Sequence, residues 1–348
     1  MQKTLTKPCF AATAMGVAPY RDVGHAARTI LKCLPEAPCL PALTRSIRWM
    51  LEGLPCLVFD RKRRMVYFDL STEREVEIIE FYDRYEAEDL DYFRTTPEAA
   101  PFIHEMIGKI KQERPPELKW VIFHTAGPLL FGDFLKQADG QPSIYNETLR
   151  DILIKGMNIK ARSLEATIRA QIPDVEVIVD LPETTLVTFT SAAGTGTRSE
   201  IIDAIDASFD KVRGLRWVHC CANIDWTLLI DSDIDVINFD AYQYPDQLAL
   251  YASQLAPFLE RGGMLAWGIV PVDSQKLASE TTETLLDRLF AAIETYTKNG
   301  IDERLLIENS WVMPACDLVM LKPEEADRAL TITSEIAQAV RQKYAIAS

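Results

Sequence analysis

Short, mostly apolar runs without helical periodicity recur along this chain, and each is followed by a longer amphipathic stretch. The runs are Phe10–Val17, Leu118–His124, Val175–Asp180, Leu215–Cys220, Val236–Asp240, Met264–Val270 and Ile307–Met313. Runs of this kind fit strands buried on both faces. Between them the periodicity predicts helices near His25–Leu34, Asn146–Gln171, Glu200–Val212, Asp246–Glu260, Ser274–Asn299 and Glu324–Lys343. Pro323 before Glu324 and Glu325, and Thr197-Arg198-Ser199-Glu200, are helix-start signals. Strands alternating with helices imply right-handed βαβ units and a parallel sheet.

Seven strands are legible, and an eighth is expected around Pro41–Arg45, where the signal is weak. Eight repeats close into an α/β fold, a single (β/α)8 TIM barrel; an open doubly wound sheet is the competing architecture. Barrels commonly run to about 250 residues or more with insertions, so one barrel domain is expected over all 348 residues. One stretch breaks the repeat. Leu57–Asp60, the basic Arg61-Lys62-Arg63-Arg64 and Met65–Asp69 read as a hairpin with a solvated charged turn, and the acidic segment Thr72–Tyr92 follows with helical spacing. Residues 46–112 are therefore expected to form an insertion in the N-terminal part of the barrel, a β-hairpin plus acidic helices.

The charge balance removes whole classes of partner. Fifty-one acidic residues against 37 basic ones leave a net charge of −14, and a protein that coats nucleic acid needs a basic face. No apolar run approaches the roughly 20 residues needed to cross a bilayer. The start, MQKTLTKPCFAATAMGV, reads as an opening strand rather than a signal peptide, so the expected location is cytoplasmic. Seven cysteines, an odd number, argue against a complete disulfide framework. Cys9, Cys33, Cys39 and Cys56 sit in apolar or Pro-flanked contexts and read as core or loop filler.

Cys220, Cys221 and Cys316 keep different company. The segment Trp217-Val218-His219-Cys220-Cys221-Ala222-Asn223 ends a predicted strand. Side chains alternate along a strand, so His219 and Cys221 share one side and Cys220 faces the other. At the C-terminal end of a barrel strand that side faces the mouth, where barrel active sites lie. A second strand ends Asn238-Phe239-Asp240, bringing a carboxylate, and the last ends Met313-Pro314-Ala315-Cys316, bringing another thiol. Sulfur and nitrogen ligands favour Zn2+ over Mg2+ or Ca2+. Three firm ligands with an exchangeable position describe a catalytic zinc site. Such a site lowers the pKa of a substrate thiol and leaves it a good nucleophile, which suits alkyl transfer to sulfur.

These strand ends resemble those of cobalamin-independent methionine synthase and its relatives in the uroporphyrinogen decarboxylase/methionine synthase-like barrel superfamily. The relatives include short core-type methionine synthases and zinc methyltransferases acting on corrinoid-bound methyl groups. The family's H-x-C motif matches His219 and Cys221, and its last zinc cysteine, in a P-x-C-x-L context, matches Pro314-Ala315-Cys316-Asp317-Leu318. Its zinc glutamate falls on Asp240. The opening I-G-S turn corresponds to Met15-Gly16-Val17, the D-E-P segment to Asp180-Leu181-Pro182, and the T-G-P strand end to Thr125-Ala126-Gly127-Pro128. The matches run in the family's order from residue 13 to residue 318.

The resemblance implies Zn2+ as cofactor, held by His219, Cys221 and Cys316, with Asp240 as labile fourth ligand or near neighbour. It implies Asp180 and Asp240 as the catalytic carboxylates, Met15, Gly16 and Val17 against the acceptor, and Asp180 as partner for an ammonium group. His124 ends a strand and is a further candidate to face the substrate. The sequence departs from the pattern where Asp240 replaces Glu, Val17 replaces Ser, Leu181 replaces Glu and Asp317 replaces Gly. The Val17 and Leu181 changes are expected to remove polar groups from the amino-acid pocket.

The implied activity is zinc-dependent methyl transfer to a small thiol, homocysteine or a coenzyme M-like acceptor, with a methylcorrinoid protein as the leading donor. Two alternatives stay open: a core-type methionine synthase using free methylcobalamin or a folate, and a non-catalytic barrel that binds a corrinoid or another ligand. Gly194-Thr195-Gly196-Thr197 lacks the P-loop lysine and reads as a βα loop. His25 and His104 lie in helical patterns and read as surface or packing residues. Trp226, Tyr242, Tyr244 and Trp267 fall near strand ends, where a substrate wall and ordinary packing read alike.

Overall fold

A computed structural model describes residues 6–42, 48–62, 64–189 and 196–346 of the chain. Residues 43–45 of the expected eighth strand, Arg63 of the basic turn, and Gly194 and Thr195 of the βα loop lie outside the described residues.

The strands are β1 (Ala11–Ala12), β2 (Leu57–Asp60), β3 (Met65–Phe68), β4 (Trp120–His124), β5 (Lys136–Gln137), β6 (Glu176–Pro182), β7 (Leu215–Cys220), β8 (Val236–Phe239), β9 (Met264–Val270) and β10 (Ser310–Pro314). Seven of them form one parallel sheet in the order β1-β10-β9-β8-β7-β6-β4. The gap between β1 and β4 is filled by residues 38–42. Leu40 N donates to Ile122 O (2.8 Å) and Ile122 N to Pro38 O (3.2 Å) on one side, while Ala42 N donates to Gly16 O (2.9 Å) on the other. The curled sheet thus closes as a (β/α)8 barrel. The eighth staple lies slightly upstream of the stretch expected from sequence and makes only the isolated bridges Cys39–Ile122 and Val17–Ala42. Pro38 and Pro41 remove ladder donors there, which explains the weak signal.

Boundaries differ where local chemistry intervenes. β1 begins only at Ala11 because Phe10 takes left-handed backbone, φ 58°, outside the extended region of a strand. Ile307 belongs to a helix, Glu303–Glu308, started by the Asp302 side chain, so β10 begins only at Ser310. The long helix expected over Ser274–Asn299 is two, Ser274–Ser279 and Thr282–Lys298, because Thr281 caps the second through the backbone N–H of Thr284.

Outside the barrel sheet, β2 and β3 pair antiparallel as a hairpin, and β5 adds to β3 in parallel. The acidic helix Glu75–Glu86 buries Phe81 and exposes Val76 and Ile79. Helix Pro101–Glu113 packs between helices Val23–Cys33 and Glu147–Gln171. No helix among the described residues is long and apolar enough to cross a membrane.

The lumen is filled from below. Trp120, Trp217 and Trp311, on β4, β7 and β10, are fully buried and stack edge to face, with Trp311 centroids 4.8 Å from Trp120 and 5.5 Å from Trp217. Further along the same side of each strand, four residues on in β4 and two in β7, stand His124 and His219.

Candidate metal centre

Strand register brings the polar ends into one layer. β7 sets His219 beside Pro182 on β6 and beside Asn238 on β8, and β4 sets His124 beside Asp180. Cys221 follows β7 by one residue and Cys316 follows β10 by two. One ligand atom from each of His219, Cys221 and Cys316 lies within 4.8 Å of the other two. Tetrahedral zinc with Zn–S near 2.3 Å spaces its sulfurs about 3.8 Å apart, so small side-chain adjustments seat an ion. The donor set, one imidazole and two thiols, is the kind that binds Zn2+.

The imidazole is presented for that purpose. His219 is fully buried, and its Nδ1 bonds the Asn238 side-chain oxygen. Its buried Nε2 meets no hydrogen-bond partner of acceptable geometry. A buried nitrogen left unmet costs about 1–3 kcal/mol, and an ion on Nε2 removes that cost. Burial disfavours a charge on His219, but the neighbouring Cys316 sulfur and the Asp180 carboxyl outweigh it and raise the ring to about 9. A hydrogen bond from Cys221 holds the Cys316 thiol low against its burial, with His219 helping, and the same bond pushes Cys221 up. Metal-free, the cluster therefore keeps one thiolate against an imidazolium, and a metal ion would displace the protons.

Asp180 is fully buried, and neither of its oxygens has a hydrogen-bond partner. Burial raises its pKa to about 7, opposed by His219 and reinforced by Cys316, which places it beside the cluster. His124 is held near 4 by burial and by repulsion from His219. Its Nδ1 accepts from Gly16 N (3.2 Å), so Nε2 carries the proton.

Asp240 stands apart from the three-residue group. Its oxygens accept from the backbone N–H (2.8 Å) and side-chain amide (2.5 Å) of Gln243, and burial still raises its pKa. Gly16 has a packing reason to be glycine, since a Cβ there would sit 2.0 Å from Leu40 O and 3.0 Å from His124 Cε1. Met15 is buried, and the Val17 carbonyl accepts from Leu318 N (2.9 Å). Leu181 corrects an expectation: strand alternation turns it to the side opposite Asp180, into the core, so its replacement of Glu takes nothing from the layer that holds Asp180. Asp317 accepts from Val319 N (3.1 Å) and shapes the turn after Cys316.

Two residues escaped the sequence reading. Asn238 is a polar residue in an apolar strand, two before Asp240, and that spacing was its signal. Glu183, buried directly after β6, accepts from Leu129 N (2.9 Å) and Leu130 N (2.8 Å). Burial lifts its pKa to about 8 against those two bonds. A Cβ on Gly127 would lie 2.2 Å from its carboxyl carbon, so the Gly127-Pro128 pair is explained by Glu183. That contact spans two strand ends and has no local signature.

No protein-family model matches the chain, and no curated protein sequence matches it. Among solved structures it is similar to a B12-independent methionine synthase from a Shewanella species in complex with selenomethionine, at 16% identity and TM-score 0.49, over 71% of this chain and 68% of that one. It is also similar to a GH113 beta-mannanase from Alicyclobacillus acidocaldarius in complex with ManMIm, at 10% identity and TM-score 0.42, over 98% and 100% of the two chains. The barrel described above rests on its own strand pairing.

Proposed function

We propose that the protein is a zinc-dependent methyltransferase that alkylates a small thiol. The observation that carries this reading is the meeting of His219, Cys221 and Cys316 at strand ends more than 90 residues apart in sequence, with ligand atoms within 4.8 Å. Bound by those three side chains, Zn2+ supplies the Lewis acidity that turns an incoming thiol into a thiolate at neutral pH. Asp180, buried with both oxygens unpartnered, is suited to a substrate cation, and an amino acid's ammonium group supplies one. The Nε2–H of His124 is available to an acceptor group on the same molecule. Burial of these groups keeps water from solvating the thiolate and preserves its nucleophilicity.

The donor in this reading is a methylcorrinoid, protein-bound or free. The S–CH3 bond forms as the Co–CH3 bond breaks, with its electron pair staying on cobalt. Homocysteine is favoured over a coenzyme M-like thiol by Asp180, which repels a sulfonate and attracts an ammonium. A folate donor remains the alternative within the same chemistry.

The test is a panel of thiols, homocysteine and coenzyme M among them, added with methylcobalamin or a methylcorrinoid protein to zinc-loaded enzyme. The corrinoid absorbance change reports demethylation. Thiol-dependent demethylation that is fastest with homocysteine is the expected result. Zinc retained without demethylation by any thiol would overturn the corrinoid reading, and failure of a methylfolate with the same thiols as well would leave a ligand-binding barrel.

A further inference from the structure

We infer that Asn238 is the positioning residue of the metal centre: its side-chain amide dictates which nitrogen of His219 is offered to the ion. The inference rests on the metal-site reading above and concerns a residue that is not itself a ligand. Asn238 is fully buried in the middle of three adjacent strands, in register with His219 on β7 and Ala266 on β9. Its Nδ2 donates to the Ala266 carbonyl oxygen at 2.9 Å. That carbonyl can only accept, so the amide cannot be turned over without setting two oxygens against each other. Its Oδ1 is thereby fixed toward His219 Nδ1. An oxygen there demands a donor, so Nδ1 keeps its proton and Nε2 is the nitrogen left to an ion that displaces the second one.

The clamp also sets the ring plane. A histidine ligand free to rotate about χ2 loses part of its affinity to reorganisation, and partners of this kind affect metal affinity by about 10- to 100-fold. Neither neighbour in the strand could serve, because Ile237 and Phe239 are apolar and face the other side. An aspartate at 238 would still accept from Nδ1–H but would lose the donor to Ala266. A leucine or alanine would lose both.

Cobalt(II) is the probe, because its visible bands report coordination geometry and its near-ultraviolet bands report thiolate ligands. Metal-free parent, Asn238→Ala and Asn238→Asp proteins are titrated against a chromophoric chelator. The parent is expected to give tetrahedral bands with thiolate charge transfer. Asn238→Ala should bind about 10- to 100-fold more weakly with shifted visible bands, and Asn238→Asp should recover most of the affinity. In the zinc-loaded parent, long-range nitrogen–proton correlation should show His219 protonated at Nδ1 and metallated at Nε2, a readout that needs no variant to fold. Equal affinity and identical bands in Asn238→Ala, or metallation at Nδ1, would overturn the inference while leaving the metal site intact. A parent that gives no thiolate bands would overturn the metal site and this inference together.

Discussion

The two ends of the barrel lumen are made by the same strands and built on opposite principles. At the floor, Trp120, Trp217 and Trp311 interlock ring against ring, none of them ionisable; Trp120 Nε1 donates to Glu176 (3.1 Å), and only the neutral Trp217 Nε1 among their ring nitrogens goes unmet. At the mouth, Asp180 and His219 are fully buried and His124 nearly so, and here the groups without partners, both Asp180 oxygens and His219 Nε2, are ionisable. Native interiors rarely leave such groups unmet. The floor contributes stability through packed area, whereas the mouth gives some of it up and holds groups ready for a ligand. The contrast separates residues that keep the barrel closed from residues that give it chemistry.

Removing a ligand is the sharpest way to break the comparison. Cys316→Ser should reduce zinc affinity by well over the 100-fold reached by outer partners, measured by chelator competition, with the metal-free fold nearly unchanged in urea. Trp311→Ala should do the reverse. It should cost about 3–5 kcal/mol in urea denaturation, while the folded fraction binds zinc as the parent does. Equal effects of both variants on both readouts would erase the distinction between floor and mouth.

Asp180 gives a pH test of the same idea. Its folded pKa, about 7, lies above the value near 4 of an unfolded aspartate, so the folded state binds the extra proton between those limits. Stability of the metal-free parent relative to Asp180→Asn should therefore fall as pH rises from about 4 to about 7, by at most about 4 kcal/mol, and then level off. A difference that is flat with pH would show the carboxyl to be solvated. The smallest effect belongs to the rim. Gly16→Ala drives a Cβ to 2.0 Å from Leu40 O and should cost about 1–3 kcal/mol by prying the segment after β1 from residues 38–42. A thermal melt matching the parent's would mean that this seam yields freely.

What the sequence made legible follows the range of each interaction. The βα alternation and the two-residue spacing of His219 and Cys221 depend only on neighbours along the chain, and both could be read directly. Cys316 was readable because it closely follows a strand, although its distance from His219 was not. Leu181 matches the family motif by position, but strand alternation turns its side chain away from Asp180. The eighth strand stayed faint because prolines thin its ladder. Asn238 and Glu183 were missed because each acts across strands, the first through register and the second through a helix start some 50 residues earlier. The spacing of Asn238 from Asp240 marks its side of the strand but not its partner, and Glu183 carries no local signature at all.

X-ray absorption at the zinc edge of the purified, unsubstituted protein tests the central claim most directly. The account predicts about one zinc per chain with two sulfur neighbours near 2.3 Å and a histidine nitrogen near 2.0 Å. Protein that takes up no zinc, or zinc surrounded only by nitrogen and oxygen, would contradict it.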